Sequence, residues 1–378
     1  MTQNLRHAIG SLLVVGLSGT ELTPMERAWL KLVRPAGIIL FRRNIVDATQ
    51  TRALLAEAKA LCAPHAVRCV DVEGGTVNRL RDALAPIPSA QATGAAARRL
   101  HRPALAREHG ELIGRAIKAF GFNTTLAPVV DLALPEAAEV LGSRSPGSTA
   151  AEVIEYARPF LAGLTAQGVV GCGKHFPGLG GASGDTHFVT PAISRTWKQI
   201  WNEDLLPYRE LHSAMPMIMM NHAAYPATPG RNHPASASAF WITKVLRGRI
   251  GYCGIILSDD LEMGGILKFL PVEEAAIAAI CAGSDLLEIC HSAELILRSY
   301  EALIAEGERS AAFRRLLIET AHEVERKKRR LYAAGIPRPL PANQSAALRE
   351  RMLRFGEAVA ASEPDIIIPR ASAPAETS

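Results

Sequence analysis

Eight short apolar runs recur along the chain, and segments with helical periodicity separate them. The runs span residues 11–16, 37–41, 67–70, 122–126, 169–173, 217–220, 253–257 and 284–289. Eight successive strand-then-helix units predict an α/β protein, specifically a (β/α)8 TIM barrel. A doubly wound sheet is the alternative, but no glycine fingerprint of a dinucleotide-binding fold follows the first run.

The predicted barrel occupies residues 1–332 as a single catalytic domain, and the composition changes after it. The following segment is rich in Pro and Gly, as is typical of a linker, and 346–361 has the pattern of a short helix. The last residues, 369–378, lack apolar periodicity and are typical of a disordered tail. We therefore expect 333–378 to form a short C-terminal extension without a second catalytic domain.

Charge and hydropathy exclude several classes of partner. The net charge is only +5, and the basic run 326–330 closes an acidic helical pattern, which favours a solvated helix end over a nucleic-acid site. No apolar run is long enough to cross a membrane. The apolar stretch at 11–16 is brief and flanked by glycines, which favours a first strand over a signal peptide. We expect a cytoplasmic monomer with no membrane or nucleic-acid partner.

The six cysteines, at positions 62, 69, 172, 253, 281 and 290, form no CxxC pair. Buried, reduced thiols are therefore expected, in preference to a disulfide framework or a metal site. No cofactor is predicted.

Polar side chains follow several of the predicted strands, at the point where each strand ends. Asp71 follows the third run, Lys174 and His175 follow the fifth, Asn221 and His222 follow the sixth, and Asp259 and Asp260 lie just beyond the seventh. In a barrel, the carboxyl ends of all the strands meet at one rim, where active sites are built. The sequence therefore predicts one active site assembled from distant segments.

Asp259 is the candidate nucleophile, because it follows the apolar segment 254–257 and should be aimed at the rim from a rigid strand. Asp260 is an alternative. Side chains alternate along an extended chain, so we expect only one of the two carboxylates to face the pocket. The alternative interpretation is that both residues cap the next helix, a common position for Asp.

Asp185 and His187 are separated by one residue and lie in a glycine-rich segment. In an extended loop their side chains project to the same side, so the carboxylate can fix the imidazole tautomer. His187 is then a candidate general acid and base, and the loop a candidate for closure over a substrate. The alternative is a surface Asp-x-His pair without chemistry.

Lys174 and His175 supply donors suited to sugar hydroxyls or an anion, and Asp71 supplies an acceptor. Arg79 and Arg144 would brace Asp71 or contact the ligand, although each of these residues is also suited to a structural ion pair. A serine hydrolase is excluded because no G-x-S-x-G motif occurs. The spacing of the histidines is not specific for a metal, and none is predicted.

Taken together, these segments resemble glycoside hydrolase family three, specifically its single-domain bacterial β-N-acetylhexosaminidases. The resemblance rests on residues 36–44, 71–79, 123–131, 141–144, 174–178, 185–187, 221–222, 234–236 and 258–263, which follow the family's order and spacing. It covers nearly the whole predicted barrel.

The resemblance implies a retaining, double-displacement glycosidase acting on a small carbohydrate substrate. Asp259 matches the family's nucleophile and His187 its acid/base, with Asp185 as partner of the imidazole. Five further residues match family positions that bind the terminal N-acetylglucosamine: Asp71, Arg79, Arg144, Lys174 and His175. The implied role is release of this sugar from muropeptides during peptidoglycan recycling.

The chain departs from the family pattern at two places. Leu179 stands where a second histidine is usual, and Ser145 and Pro146 follow Arg144 where an aromatic residue is common. Both changes concern substrate specificity. Some enzymes with the same Asp-His pair use phosphate in place of water, so a phosphorylase stays open as an alternative, as does a non-catalytic barrel that binds muropeptides.

Overall fold

The computed structural model describes residues 2–182, 191–333 and 339–362. Its strands are β1 Leu13–Gly16, β2 Gly37–Leu40, β3 Val67–Val70, β4 Val72–Gly74, β5 Val77–Asn78, β6 Thr124–Thr125, β7 Val170–Phe176, β8 Met217–Met220, β9 Ile255–Asp260 and β10 Leu286–Ile289. Parallel strands close into a barrel in the order β1-β10-β9-β8-β7-β6-β3-β2, while β4 and β5 form a separate antiparallel pair. The predicted (β/α)8 barrel is confirmed, and every predicted apolar run contributes one barrel strand.

Helices surround the barrel and connect its strands. The α-helices are α1 Thr2–Gly10, α2 Pro24–Val33, α3 Ala48–Leu61, α4 Ala90–Arg99, α5 Ala104–Ala119, α6 Ala138–Leu141, α7 Ala150–Ala166, α8 Trp197–Gln199, α9 Leu206–Leu211, α10 Gly264–Leu267, α11 Val272–Ala282, α12 Ala293–Arg309, α13 Ala311–Leu331 and α14 Ala342–Ala360. Short 3-10 helices lie at Arg42–Asn44, Pro135–Ala137, Gly142–Arg144 and Ala235–Ala237, and π-helices at Ile200–Asp204 and Phe240–Arg249.

Most of the barrel strands are buried on both faces, which explains why they are nearly continuous apolar runs rather than alternating ones. Outside the barrel, α5 and α7 pack closely because each helix has a glycine that faces the backbone of the other helix. A Cβ atom at Gly110 would lie 2.2 Å from the carbonyl oxygen of Phe160, and one at Gly163 would lie 2.2 Å from that of Arg107. This approach holds the helices that follow β3 and β6 against the sheet.

The C-terminal helix α14 packs against α4 and α5. Its apolar stripe, Leu348, Met352, Phe355 and Val359, is buried, with residues three or four apart along the helix. The last sixteen residues, 363–378, and the linker positions 334–338 lie outside the described residues.

All six cysteines carry free thiols. Four are buried as expected, but Cys253 and Cys281 are exposed. Cys253 precedes the strand that it was expected to join, because β9 begins at Ile255. Among the helices of the described residues, none is both long and apolar enough to cross a bilayer.

Candidate active site

A pocket of about 190 Å³ opens at the carboxyl ends of the barrel strands. Six of the predicted site residues line it together: Asp71, Arg79, Arg144, Lys174, His175 and Asp259. The other two predicted residues, Asp185 and His187, lie outside the described residues. The apolar part of the lining includes Leu126, Val140, Leu179, Met219 and Met263. The pocket therefore combines a charged wall with an apolar one, the usual make-up of a small-molecule site.

Two consecutive residues of β7 reach this pocket because the strand is irregular. The register with β8 shifts between Gly173 and Phe176, which leaves one extra residue on β7. In a regular strand, Lys174 and His175 would project to opposite faces. The bulge breaks the alternation, and both side chains line the pocket.

Strand β9 contains a similar bulge. Leu257 pairs with Leu286 and Asp260 pairs with Glu288, so β9 has one more residue than β10 between the two paired positions. The expectation that only one of Asp259 and Asp260 faces the pocket is therefore wrong, since both line it. Strict alternation does not hold across a bulge.

Lys174 is the centre of the charged wall. Its Nζ lies 2.9 Å from Oδ1 of Asp71 and 2.7 Å from Oε1 of Glu73. Burial lowers the pKa of Lys174, but the two carboxylates outweigh burial and hold the pKa above its usual value. The ammonium group is therefore a fixed positive charge that orients Asp71.

Glu73 anchors a second cation of this wall. Its two carboxylate oxygens each accept a hydrogen bond of 2.8 Å from the guanidinium of Arg144. Burial raises the pKa of Glu73, but Arg144 and Lys174 hold it well below its usual range. This bidentate geometry fixes the plane of the guanidinium at the pocket wall.

His175 is held by a fully buried carboxylate. Its Nδ1 lies 2.7 Å from Oδ2 of Asp131, and Nη2 of Arg144 lies 3.3 Å from its Nε2. Because an arginine can only donate, Nε2 of His175 accepts and Nδ1 donates to Asp131. The other oxygen of Asp131 accepts the backbone N–H of Leu179 at 2.8 Å. One carboxylate thus positions both the imidazole and the start of the loop after β7.

Asp259 and Asp260 differ in their surroundings although they are adjacent. Burial raises the pKa of Asp259, but the nearby imidazoles of His175 and His222 help to bring it below its usual value. In Asp260, burial is the main cause that raises the pKa to about 7. Oδ1 of Asp260 accepts backbone N–H groups of Glu262 at 3.1 Å and Cys290 at 3.2 Å. Asp259 is therefore the ionised member of the pair at neutral pH, and Asp260 stabilises the loop around it.

Asn221 and His222 support the pocket from β8. Nδ2 of Asn221 donates to the carbonyl oxygen of His175 at 3.0 Å. The ring nitrogens of His222 lie 2.7 Å from Oγ of Ser236 and 3.0 Å from the carbonyl oxygen of Asp260. These bonds occupy both imidazole nitrogens. Within the described ranges, no group of three or more His, Cys, Asp or Glu side chains is arranged to hold a metal ion.

Phe41 and Arg79 add an aromatic ring and a further cation to the pocket lining. Nη2 of Arg79 lies 3.9 Å from Oδ2 of Asp71. The guanidinium groups of Arg43 and Arg79 lie 4.7 Å and 5.9 Å from the centre of the Phe41 ring. Arg79 is thus within reach of a ligand and of Asp71.

Sequence reasoning did not single out Glu73 and Asp131, which bind residues of the pocket wall, or Glu288, which lines the pocket. Glu73 lies two residues after Asp71, a spacing that could have indicated a shared face. Asp131 follows an apolar stretch, as Asp71 and Lys174 do. Glu288 is a charged residue within an apolar run, which is unusual for a barrel strand.

Comparisons with known proteins show the family to which this chain belongs. Residues 4–321 match the glycosyl hydrolase family 3 N-terminal domain. A beta-hexosaminidase of Chromobacterium violaceum is 38% identical over 284 residues, which cover 74% of this chain and 79% of the relative.

Two solved structures are similar over most of the chain. A family 3 beta-N-acetylglucosaminidase of Paenibacillus sp. str. FPU-7 has a TM-score of 0.83 at 30% identity, covering 93% of this chain and 68% of that one. NagZ of Neisseria gonorrhoeae in complex with N-trifluoroacetyl-D-glucosamine has a TM-score of 0.74 at 28% identity, with 93% and 97% covered.

Proposed function

The chain belongs to glycosyl hydrolase family 3 and is a glycoside hydrolase, and from this premise we propose that it is an exo-acting β-N-acetylglucosaminidase with a retaining mechanism. One observation carries the proposal. An ionised carboxylate, Asp259, shares a pocket with hydrogen-bonding groups of Asp71, Lys174, Arg144 and His175 that suit a sugar ring.

The size of the pocket supports removal of a single terminal sugar. Its volume of about 190 Å³ is smaller than the ~300–1,000 Å³ typical of sites for drug-sized ligands. Donors and acceptors alternate along the charged wall, as the hydroxyl groups of a sugar require. Asp71 accepts hydrogen bonds, whereas Lys174 and Arg144 donate them.

In the proposed first step, Asp259 attacks the anomeric carbon and the bond to the leaving oxygen breaks. His187 protonates that oxygen, and a covalent glycosyl-enzyme forms. In the second step, His187 removes a proton from water, which attacks the anomeric carbon and releases Asp259. A histidine would thus replace the acid/base carboxylate that most retaining glycosidases use.

A carboxylate with a low pKa suits the nucleophile in this scheme, because it remains ionised while the acid/base changes its protonation state. The ammonium group of Lys174 helps to stabilise this charge. Asp185 would hold His187 in the tautomer needed for proton transfer.

We also propose muropeptides as natural substrates, with N-acetylglucosamine as the released sugar and peptidoglycan recycling in the cytoplasm as the role. The N-acyl glucosamine named with the Neisseria structure supports the identity of the terminal sugar. A digest of defined muropeptides, followed by mass spectrometry, tests this assignment. Release of N-acetylglucosamine supports it, and intact muropeptides would contradict it.

The activity is tested with 4-nitrophenyl β-N-acetylglucosaminide in buffers with and without phosphate, using Asp259→Asn as the matched control. We expect wild-type turnover without phosphate, no turnover by the control, and a first product with the β configuration by NMR. An α-configured first product would overturn the retaining mechanism. Formation of N-acetylglucosamine 1-phosphate would assign a phosphorylase, and no turnover in either buffer would leave a sugar-binding barrel.

A further inference from the structure

Glu288 is a buried acid on the wall of the pocket that the proposed mechanism does not use. It lies in β10 between Leu287 and Ile289, and its residue is 2% exposed. The side chain lines the same pocket as Asp71 and Asp259. Its contact with Cys69 of β3 shows that it projects into the barrel rather than towards the helices.

The carboxyl group of Glu288 has no ion-pair partner among the described residues. The cation of the charged wall, Lys174, is already bound to Asp71 and Glu73. The hydrogen-bond contact of the side chain is Sγ of Cys69, 3.9 Å from Oε1. A thiol at this distance is a weak partner and does not compensate a buried charge.

The surroundings of Glu288 are acidic on several sides. Asp71 lies beyond β3, Asp259 and Asp260 lie on β9, and Lys174 on β7 supplies the opposing positive charge. Burial is the main cause that raises the pKa of Glu288 well above its usual value, and the three aspartates add to it. The carboxyl group therefore holds a proton at neutral pH.

Three thiols also interact with Glu288. They are Cys69 on β3, Cys172 on β7 and Cys290 directly after β10. Burial raises the pKa of each well above its usual value, so these groups are uncharged. None supplies a charge that would ionise Glu288.

We propose that Glu288 is a specificity-determining residue whose protonated carboxyl group donates a hydrogen bond to an oxygen of the sugar bound in the pocket. This inference rests on the proposed function. A protonated carboxyl group carries one O–H donor, unlike the ionised Asp71 and Asp259, which can only accept. Glu288 thus adds a donor from β10, whereas the cationic donors of the lining are Lys174, Arg144 and Arg79.

The energetics favour a ligand as the acceptor. A ligand oxygen is a stronger hydrogen-bond partner than the thiol of Cys69, which lies 3.9 Å from Oε1 of Glu288. The backbone of Glu288 is held independently, since its N–H donates to Oγ of Ser258 at 3.0 Å and its carbonyl accepts from Leu261 at 2.9 Å. Substitutions of the side chain therefore leave these contacts in place.

Two variants separate a neutral donor from a charge. Glu288→Gln retains a neutral donor of similar shape, whereas Glu288→Leu retains the volume without a donor. We expect Glu288→Leu to weaken N-acetylglucosamine binding and lower kcat/KM by about 10- to 100-fold, and Glu288→Gln to stay within about threefold of wild type. Circular dichroism and thermal unfolding establish that both variants are folded.

Two kinetic outcomes would overturn the inference. Wild-type kinetics in Glu288→Leu would show that the donor is not used, and equal impairment of both variants would show that the ionised form matters. Both outcomes require that the wild-type enzyme turns over the substrate. If wild type itself neither binds nor cleaves the sugar, the proposed function fails instead.

Difference infrared spectroscopy gives a readout that does not depend on turnover. The wild-type spectrum minus that of Glu288→Gln should contain the C=O band of a protonated carboxyl group at pH 7, and N-acetylglucosamine should shift it. Glu26→Gln is the matched control, because Glu26 is a buried carboxylate outside the pocket whose pKa is lowered. Its difference spectrum should lack that band. Absence of the band from the Glu288 pair, or a band that the sugar leaves unchanged, would overturn the inference.

Discussion

Asp131 binds His175 twice, because its Oδ2 accepts from the ring Nδ1 at 2.7 Å and from the backbone N–H at 3.1 Å. Its other oxygen holds the backbone of Leu179. A single buried carboxylate therefore couples the orientation of a pocket-lining imidazole to the path of the loop after β7, and charge-assisted bonds of this kind are the stronger ones in proteins.

Asp131→Asn should lower both stability and catalysis. Both oxygens of Asp131 accept hydrogen bonds from N–H groups, so the NH2 group of an asparagine would face a donor in either orientation. We expect the free energy of unfolding to fall by about 2–3 kcal/mol and kcat/KM by about 10- to 100-fold. Urea unfolding and steady-state kinetics measure the two effects. Asp285→Asn is the control, since Asp285 is a buried partner of Arg247 and Lys327 that does not line the pocket. If the control lost as much kcat/KM as Asp131→Asn, the effect would not be specific to the site.

Asp259→Ala should reduce turnover by at least about 10⁴-fold, as expected for loss of a covalent nucleophile. Asp260→Asn should keep most of the activity, because Oδ1 of an asparagine can still accept the two backbone N–H groups. Steady-state rates with the nitrophenyl substrate compare the variants. Loss of activity in the Asp260 variant together with an active Asp259 variant would reverse the assignment.

His187→Ala should lower the rate strongly with poor leaving groups and only slightly with activated ones, since a good leaving group departs without protonation. A series of aryl β-N-acetylglucosaminides with leaving groups of different pKa measures this dependence. A uniform loss across the series would contradict the acid/base role of His187.

Asp260 should make stability depend on pH. Its pKa is raised from 3.8 to about 7 in the folded state, so the folded protein retains a proton that the unfolded chain has lost. The stabilisation is complete below pH ~4 and is lost as the pH rises to about 7, a loss of up to ~4 kcal/mol. Midpoints of urea unfolding at pH 4.5 and pH 7.5 should therefore differ more in wild type than in Asp260→Asn. Equal pH dependence in the two proteins would contradict the raised pKa.

Leu179→Ala should weaken sugar binding, because Leu179 lines the pocket with its side chain while its backbone N–H remains bound to Asp131. We expect KM to rise about tenfold with little change in kcat. Leu317→Ala, a buried position on α13, controls for general loss of stability. A fall in kcat in Leu179→Ala without a change in KM would place its effect on chemistry rather than on binding.

The sequence predicts the barrel well because parallel strands buried on both faces leave continuous apolar runs, which are easy to recognise. The positions at the strand ends follow from the same logic, and they bring Asp71, Lys174 and Asp259 to one pocket. Polar residues after apolar runs were therefore the informative signal.

The partners of those residues are harder to predict. Glu73 reaches Lys174 through the β4–β5 pair, and Asp131 reaches His175 from a loop after β6. Neither contact follows from spacing along the chain, since both depend on how loops fold over the barrel. The orientation of Asp260 was predicted wrongly for a related reason, because strict alternation assumes a regular ladder.

The extra residues in β7 and β9 also bear on how this enzyme can change. Deleting one residue from a bulge would restore a one-to-one ladder, because residues beyond it, such as Phe176 opposite Met220, keep their partners and their faces. In β7, the deletion would leave one position between Gly173 and Phe176, where the side chains of Lys174 and His175 now both line the pocket. The number of residues in each of these strands therefore determines the pocket together with the identity of the residues. A homologue that lacks one residue at the bulge of β7 or β9 should have a different pocket even if the rest of the strand is conserved.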